Sequence, residues 1–474
     1  MRVLVLESST SSAKAMVYDD QSGILRLLTR AYPPSVSDGA TQDADRVLDL
    51  LLDLGREAAA GLSPSAIGLV GTWHSLLLCD RRLRPASRVY SWQYADSADF
   101  IEAFRQDRET AMDLYRRTGC MANTTYPFYQ LLYLRSQGLD VDNARVFCQG
   151  GYNFFCLTGE YATSETIVSG SGFLNIHSLR LDERVLSMTG LREGQFAMLA
   201  DHDFYGTLTV AAAARLGVGP GLPVTLPYAD GAMNHLAAGA QRANRMSLSI
   251  GTSGAMRIST PQPVIPDSAG LWCYRAPGTW LSGAATNGAT NCVEWFRRML
   301  AGDMPFETLE SRMSLDADNP FFLPFLYGER CPGWNSRRKG GFEDLRTGHD
   351  LGAMYSAVLE GVLFNLYQCY QILSGQAEPS EIRLSGGVLQ SAGWTQMTAD
   401  VFGRPVVAAD NSQASLLGGA AMALYAAGAP AFGTLDDLEA FDRGEGIRFE
   451  PNPERTRFFQ ERYKRYLELY GRMA

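Results

Sequence analysis

Short apolar runs at the start and in the middle of the chain predict two strand–turn–strand hairpins. Residues 3–8 and 13–19 are apolar or alternate with polar positions, and a turn of serine and threonine separates them. Residues 246–258 repeat this plan around Gly251-Thr252-Ser253-Gly254. Because serine and glycine dominate turns generally, the likeness has two interpretations: coincidence, or a repeated domain topology.

Strand-like and helix-like patterns alternate along the rest of the chain. Strands are predicted at 66–71, 223–228 and 381–383, and long helices at 354–373 and 454–473. The second helix carries one apolar stripe, which we assign to packing, made of Phe459, Tyr463, Tyr466 and Tyr470. These patterns predict a mixed α/β protein.

The length of the chain fits two domains. It has 474 residues, and a globular domain usually holds ~100–200. The two hairpins lie half a chain length apart, which favours two domains of like topology. We predict domains at 1–242 and 243–474, with the boundary near residues 241–244.

Composition and charge exclude several classes of binding partner and location. The chain has 42 basic and 51 acidic residues and a net charge of −9, which opposes a large nucleic-acid footprint. No apolar run is long enough to span a membrane, and the N-terminus lacks the pattern of a secretory signal. The eight cysteines are scattered without a Cys-x-x-Cys, so we expect free thiols and a cytoplasmic protein.

The hairpin turns are candidate sites for an oxygen-rich anion. A Thr-Ser turn presents hydroxyls and successive backbone N–H groups, and Lys14 follows the first turn. The chain has no Gly-x-x-x-x-Gly-Lys-Ser/Thr run, so the site is not a P-loop. Two glycine pairs add candidates: Gly386-Gly387 allows a ring or phosphate to approach the backbone, and Gly418-Gly419 allows close helix packing.

Asp230 and His74 each follow a predicted strand and have two interpretations. Asp230 either caps the next helix or takes a proton from a substrate hydroxyl. His74 is either hydrogen-bonded within the core or contacts a ligand hydroxyl. The five histidines are isolated, so we do not expect a protein-bound transition metal.

Taken together, these segments resemble the FGGY carbohydrate kinases of the actin-like ATPase superfamily. The two hairpin turns are similar to the phosphate-binding hairpins of that family. Residues 71–75 are similar to its sugar-site segment, and residues 230–232 to its catalytic aspartate and the small residues that follow. Later similarities lie at 328–334, 358–362 and 386–400, so the resemblance covers nearly the whole chain.

The resemblance implies two ribonuclease-H-like α/β domains flanking a catalytic cleft, with ATP and Mg²⁺ as cofactors. It implies that Asp230 is the catalytic base and that Glu7 orients Mg²⁺ through water. Substrate contacts are implied for Trp73, His74, Asp96 and Asp230. The residues implied to bind ATP are Thr10, Ser11, Ser12, Lys14, Gly251, Thr252, Ser253, Thr290, Gly386, Gly387 and Ser391.

The chain departs from the family pattern at several positions. The first hairpin of the family opens Asp-x-Gly-Thr, whereas this chain has Glu7-Ser8-Ser9-Thr10, so a serine side chain stands where phosphate is expected to approach. The family segment Trp-x-Asp-x-Arg is Trp92-Gln93-Tyr94-Ala95-Asp96 here, without the arginine. Asp96 replaces the acid only if the loop shifts by two residues. Ser164 stands where relatives often carry aspartate, next to Glu165.

The main hypothesis is therefore an ATP-dependent kinase of a small sugar or sugar acid. Stretches such as Cys273-Tyr274 are most similar to gluconate kinases, so a gluconate-like substrate is the first choice and xylulose the second. Gluconate requires a cation for its carboxylate, and the missing arginine after Trp92 counts against it. The alternative is a catalytically silent sugar or nucleotide sensor with the same fold, favoured by the altered hairpin. The resemblance is compatible with a homodimer.

Overall fold

The computed structural model describes residues 1–241, 244–314, 318–408, 413–435, 437–438 and 446–472. The chain forms two compact α/β units. The first unit contains residues 1–237, Cys273–Leu281 and the described residues from 413 to 438. The second contains the described residues of 238–272, 282–408 and 446–472. Arg242 and Ala243, at the predicted domain boundary, lie outside the described residues, and that boundary stays a prediction.

The elements of the first half alternate between strands and helices. In chain order they are β1 (Arg2–Ser8), β2 (Ser12–Asp19), β3 (Gly23–Ala31), β4 (Thr41–Gln42), α1 (Ala44–Ala59), β5 (Ala66–Gly71), β6 (Ser75–Cys79), β7 (Val89–Ser91), α2 (Ala98–Gln106), α3 (Arg108–Thr118), α4 (Pro127–Ser136), β8 (Arg145–Phe147), α5 (Gln149–Thr158), β9 (Ala162–Ser164), α6 (Glu165–Ser169), β10 (Leu174–Asn175), β11 (Arg180–Leu181), α7 (Glu183–Thr189), β12 (Met198–Ala200), β13 (Tyr205–Thr207), α8 (Val210–Leu216), β14 (Pro223–Ala229) and α9 (Asp230–Ala237).

The second half continues the alternation. Its elements are β15 (Arg245–Ile250), β16 (Gly254–Thr260), β17 (Trp272–Ala276), β18 (Thr279–Thr286), α10 (Thr290–Met299), α11 (Phe306–Glu310), β19 (Phe321–Leu323), β20 (Gly341–Glu343), α12 (Leu351–Ser374), β21 (Glu381–Ser385), α13 (Ala392–Phe402), β22 (Val406–Ala408), α14 (Ala414–Ala426), β23 (Ile447–Phe449) and α15 (Pro453–Arg472). The predicted helices at 354–373 and 454–473 correspond to α12 and α15; Met473 lies outside the described residues.

Each unit is built around a sheet with the same plan. In the first unit the strand order is β13-β14-β5-β1-β2-β3, in which β1 pairs antiparallel with β2 and parallel with β5. In the second unit β15 pairs antiparallel with β16 and parallel with β21, and β22 follows β21 in parallel. A hairpin followed by two parallel strands thus occurs in both halves, which confirms the repeated topology.

The helix α14 packs on the sheet of the first unit through glycines. A Cβ on Gly418 would lie 2.4 Å from the Met233 carbonyl oxygen, and one on Gly419 would lie 2.6 Å from a Val70 methyl group. The absence of these side chains allows α14 to approach β5 and α9, as the run of small residues predicts. This contact brings Ser415, at the start of α14, to β1.

None of the helices in the described ranges combines the length and the apolar character that crossing a membrane requires. All eight cysteines are free thiols, and seven of them are buried. The aromatic stripe of α15 is packed, because Phe459, Tyr463 and Tyr466 are buried and contact Phe364 of α12.

Candidate active site

Three chain segments with candidate chemistry start at one edge of the first unit's sheet. The parallel strands β1, β5 and β14 end at Ser8, Gly71 and Ala229, and the register places Gly71 beside both of the other two residues. The carboxyl ends of parallel strands meet at the same sheet edge, where α/β proteins bind ligands. The first hairpin turn, the Trp73-His74 segment and Asp230 therefore start side by side.

The first hairpin turn is closed by its own serines. Ser9 N donates to Ser12 O at 3.0 Å, and Ser9 Oγ donates to the same carbonyl oxygen at 2.9 Å. Ser12 N donates in turn to Ser9 Oγ at 3.1 Å. The Ser9 side chain thus belongs to the hydrogen bonding of the turn.

Neighbouring side chains hold the carbonyl groups of this turn. Gln42, which is 3% exposed, donates from Nε2 to Ser9 O at 3.0 Å and to Thr10 O at 2.9 Å. Ser37 Oγ donates to Thr10 O at 2.9 Å. Since the carbonyl groups are held, the backbone N–H groups and hydroxyls of the turn have a fixed arrangement.

The predicted phosphate-binding hydroxyls of the turn differ in their partners. Thr10 Oγ1 accepts a hydrogen bond from Trp92 Nε1 at 3.0 Å, which leaves its own hydroxyl proton to donate elsewhere. Ser11 is exposed, and Ser12 Oγ lies 3.1 Å from Ser9 Oγ. The Trp92 contact was missed by sequence reasoning because the two residues are 82 positions apart.

Glu7 and Lys14 form an ion pair next to the turn. They lie opposite each other in the β1–β2 register, with Lys14 Nζ 3.2 Å from Glu7 Oε1. Ser415 Oγ donates to Glu7 Oε2 at 2.6 Å. The negative charge of Glu7 also reaches Tyr32: the pKa of the Tyr32 hydroxyl is raised mainly by burial and secondly by this charge. Both oxygens of the predicted metal-orienting carboxylate therefore already have a protein partner.

Trp73 and His74 are nearly buried, at 5% and 8% exposure, and are fixed by the segment that contains α6. Trp73 Nε1 donates to Thr166 O at 2.8 Å, and His74 Nδ1 lies 2.5 Å from Gly170 O. A carbonyl oxygen only accepts, so His74 Nδ1 carries the proton. One ring nitrogen of His74 is thus hydrogen-bonded within the core, as the first of the two interpretations expects. A contact of His74 with substrate stays a prediction.

Two tyrosines that were not predicted to contact substrate complete an aromatic wall with Trp73 and His74. The Tyr274 ring lies 4.7 Å from Trp73 and 5.6 Å from His74, measured between ring centroids. Tyr126 lies edge-on to His74 at 5.3 Å, and its hydroxyl is 2.8 Å from the Tyr274 hydroxyl. The signal that could have found Tyr274 was its place in the Cys273-Tyr274 stretch.

Asp230 is the first residue of α9 and follows β14 directly. It is partly exposed, and its Oδ1 accepts a hydrogen bond from Gly231 N at 2.7 Å.

Asp96 is exposed and lies next to Tyr94. The pKa of Tyr94 is raised to about 12, mainly because Tyr94 is partly buried and secondly because of the negative charge of Asp96. The contacts of Asp96 therefore belong to its own loop, and its role in substrate binding stays a prediction.

The predicted nucleotide-binding residues of the second unit also start at one sheet edge. Ser249 of β15 pairs with Ser385 of β21, so Gly251–Ser253 and Gly386–Gly387 follow adjacent strand ends. Thr290 N donates to Gly251 O at 2.8 Å. Gly386 has a φ of +100°, and a Cβ there would lie 2.5 Å from Ile250 O, so glycine is required.

The Ser391 side chain is hydrogen-bonded to other residues of the second unit. Its Oγ donates to Glu310 Oε2 at 2.6 Å and accepts from Trp394 N at 3.0 Å, and Tyr355 donates to the other oxygen of Glu310. The Ser391 hydroxyl is therefore the N-cap of α13. Of the other predicted residues, Thr290 lies next to both Gly251 and Gly387. The predicted contact of Ser391 with ATP stays a prediction.

Comparisons with known proteins match both halves of the chain. Residues 2–237 match the N-terminal domain of the FGGY family of carbohydrate kinases, and residues 246–427 match the C-terminal domain of the same family. The gluconokinase of Bacillus licheniformis is 25% identical over 90% of this chain and 88% of its own length.

Solved structures agree with this match. A gluconate kinase from Lactobacillus acidophilus is 25% identical and superposes with a TM-score of 0.93 over 99% of this chain and 98% of its own. A xylulose kinase from the same organism is 25% identical, with a TM-score of 0.94 over 100% of this chain and 98% of its own. The two matched domains define an ATP-dependent sugar kinase. The chain belongs to the FGGY family of carbohydrate kinases.

Proposed function

We propose that this protein transfers the γ-phosphoryl group of ATP to a hydroxyl of a small sugar acid of the gluconate type, with xylulose as the second candidate. The observation that carries this proposal is the register of Ser8, Gly71 and Ala229. It places the starts of the hydroxyl turn, the Trp73-His74 segment and α9 with Asp230 at one sheet edge. Relatives named as gluconate and xylulose kinases support the two substrate classes.

Asp230 is proposed to take the proton from the substrate hydroxyl that attacks the γ-phosphorus. It lies at the end of a parallel strand and is partly exposed. Such a base typically contributes ~10²–10⁴-fold to the rate. Phosphoryl transfer otherwise depends mostly on alignment and charge stabilisation, so the remaining residues are proposed to orient the two substrates.

Thr10, Ser11 and Ser12, in their fixed turn, are proposed to donate hydrogen bonds to phosphate oxygens of ATP. In the second unit, Thr252, Ser253 and the backbone at Gly251, Thr290 and Gly387 are proposed to do the same. Lys14 is held by Glu7, so a phosphate contact requires that it share its charge with that carboxylate.

Mg²⁺ would arrive with ATP as part of the substrate. In the part of the chain that the structure describes, no group of three or more histidine, cysteine, aspartate or glutamate side chains could hold a metal ion. Two of the about four lone-pair positions of the Glu7 carboxylate are used by Lys14 and Ser415. The remaining positions fit a contact through the water shell that Mg²⁺ usually keeps.

The sensor alternative is not favoured. It rested on the altered Glu7-Ser8-Ser9 hairpin. There the Ser9 side chain is used within the turn itself, and the Glu7 carboxylate keeps the negative charge. A cytoplasmic location and a homodimer stay predictions.

A coupled assay of ADP release, run over aldonates, ketoses and polyols with Mg²⁺·ATP, tests the proposed function. We expect sugar-dependent ADP release with an aldonate as the best substrate. If no compound raises ADP release above basal ATP hydrolysis, the proposal of a sugar acid or xylulose as acceptor is wrong.

A further inference from the structure

One ion pair near the candidate active site is made of two residues that are not among those proposed to bind ATP or the sugar. Arg275, on β17, lies with Nε 3.2 Å from Glu165 Oε2, at the first residue of α6. The two side chains are 16% and 19% exposed, so the pair is largely enclosed but reaches solvent. Both residues belong to the first unit although 110 positions separate them.

The pair lies beside the residues proposed to bind substrate. The α6 segment accepts hydrogen bonds from Trp73 at Thr166 O and from His74 at Gly170 O. Arg275 N donates to Ser169 Oγ at 2.8 Å in the same segment, and its neighbour Tyr274 forms part of the aromatic wall.

The same segment also contacts β14, the strand that directly precedes Asp230. Ser164 Oγ, one residue before Glu165, donates to Pro227 O of β14 at 2.5 Å. Pro227 lies three positions before Asp230. The contacts of Arg275 with Glu165 and of Ser164 with Pro227 therefore connect the guanidinium group to the strand that precedes Asp230.

The guanidinium group has unused donors. Nε contacts Glu165, and the Trp280 ring lies 5.0 Å from the guanidinium carbon. Among the residues that the structure describes, none forms a hydrogen bond with Nη1 or Nη2 of Arg275. These two nitrogens form the fork that matches a carboxylate in a bidentate contact.

We propose that Arg275 is the receptor for the substrate carboxylate and thus selects aldonates over neutral ketoses and polyols. This inference rests on the proposed function and assigns the cation that the segment after Trp92 lacks. Glu165 holds the guanidinium by Nε, and Trp280 lies against it, so that the Nη fork is pre-oriented. A neutral polyol would leave the charged fork without an anionic partner in a largely enclosed position.

The test compares gluconate with glucitol, which differs only by a hydroxymethyl group in place of the carboxylate. Calorimetry on the full chain measures both ligands with the wild type, Arg275→Met and Arg275→Lys. We expect the wild type to bind gluconate more tightly than glucitol, and Arg275→Met to weaken gluconate about 10- to 100-fold with glucitol changed less than threefold. Arg275→Lys should recover only part of the loss, because lysine has no fork.

Arg30→Met is the matched control, since Arg30 forms an exposed ion pair with Glu57 elsewhere in the same unit. It should leave both affinities unchanged. Equal weakening of gluconate and glucitol in Arg275→Met, or a wild type that binds glucitol as tightly as gluconate, would overturn the inference. Binding is measured without turnover, so gluconate that binds through Arg275 but gives no ADP release would contradict the proposed function and leave this inference standing.

Discussion

The two hydroxyl-bearing hairpins share one plan but differ in how far the protein itself occupies their polar groups. In the first, Gln42, Ser37 and Trp92 bind the turn, and Ser9 is used to close it. In the second, Gly251 N donates to Ser253 O, while the side chains of Thr252 and Ser253 are exposed and make no hydrogen bond with any described residue.

This difference separates two ways of preparing an anion site. The first hairpin has a fixed shape before a ligand arrives, which lowers the cost of ordering on binding. The second keeps its hydroxyls for the ligand, so their substitution should affect binding and leave folding nearly unchanged. Substitutions in each hairpin test this contrast.

Among changes to the two hairpins, the largest expected effect is on ATP use when the second hairpin loses a hydroxyl. Thr252→Val should lower kcat/KM for ATP about 10- to 100-fold, because a hydrogen bond to a charged phosphate is lost. Its free energy of unfolding should stay within about 0.5 kcal/mol of the wild type, since the side chain is exposed. Steady-state kinetics and urea denaturation measure the two quantities.

Thr347→Val, at an exposed turn in the same unit, is the control and should change neither quantity. An unchanged kcat/KM for ATP in Thr252→Val would remove the second hairpin from phosphate binding.

The next effect is on stability at the first hairpin. Gln42→Ala removes the donors to two carbonyl groups and should lower the free energy of unfolding by about 1.5 kcal/mol. Urea denaturation measures the loss. Gln21→Ala, at an exposed glutamine of the same unit, should cost less than about 0.5 kcal/mol. Equal stability of the two variants would show that the first turn does not depend on Gln42.

The smallest effect concerns the orientation of Thr10. Trp92→Phe keeps an aromatic ring but removes the N–H that binds Thr10 Oγ1, and should lower kcat about 2- to 10-fold. Trp295→Phe is the control, because Trp295 stacks on Phe322 and makes no hydrogen bond with a described residue. If both variants lose the same activity, the hydrogen bond to Thr10 has no part in catalysis.

Local patterns were enough to predict much of the fold. The β1–β2 hairpin, its repeat at β15–β16, the helices α12 and α15, and the close packing at Gly418 all follow from residues near one another in sequence. The Glu7–Lys14 ion pair could also have been predicted, since a hairpin of this register places the two residues opposite each other.

Contacts between residues far apart in the sequence could not be predicted. Ser415 reaches Glu7 across 408 positions, and Arg275 reaches Glu165 across 110, because α14 and the β17 segment return to the first unit. Neither return leaves a periodic signal in the sequence. The contact of Ser415 with Glu7 and the candidate carboxylate receptor were therefore found only in the structure.

The central claim is that Asp230, at the sheet edge shared by the first hairpin turn and the Trp73-His74 segment, acts as the catalytic base. Asparagine caps a helix as well as aspartate but cannot take the proton, so Asp230→Asn separates the two roles. We predict that sugar-dependent ADP release falls at least about 100-fold in this variant, with gluconate affinity within about threefold of the wild type. Turnover close to that of the wild type would contradict the account.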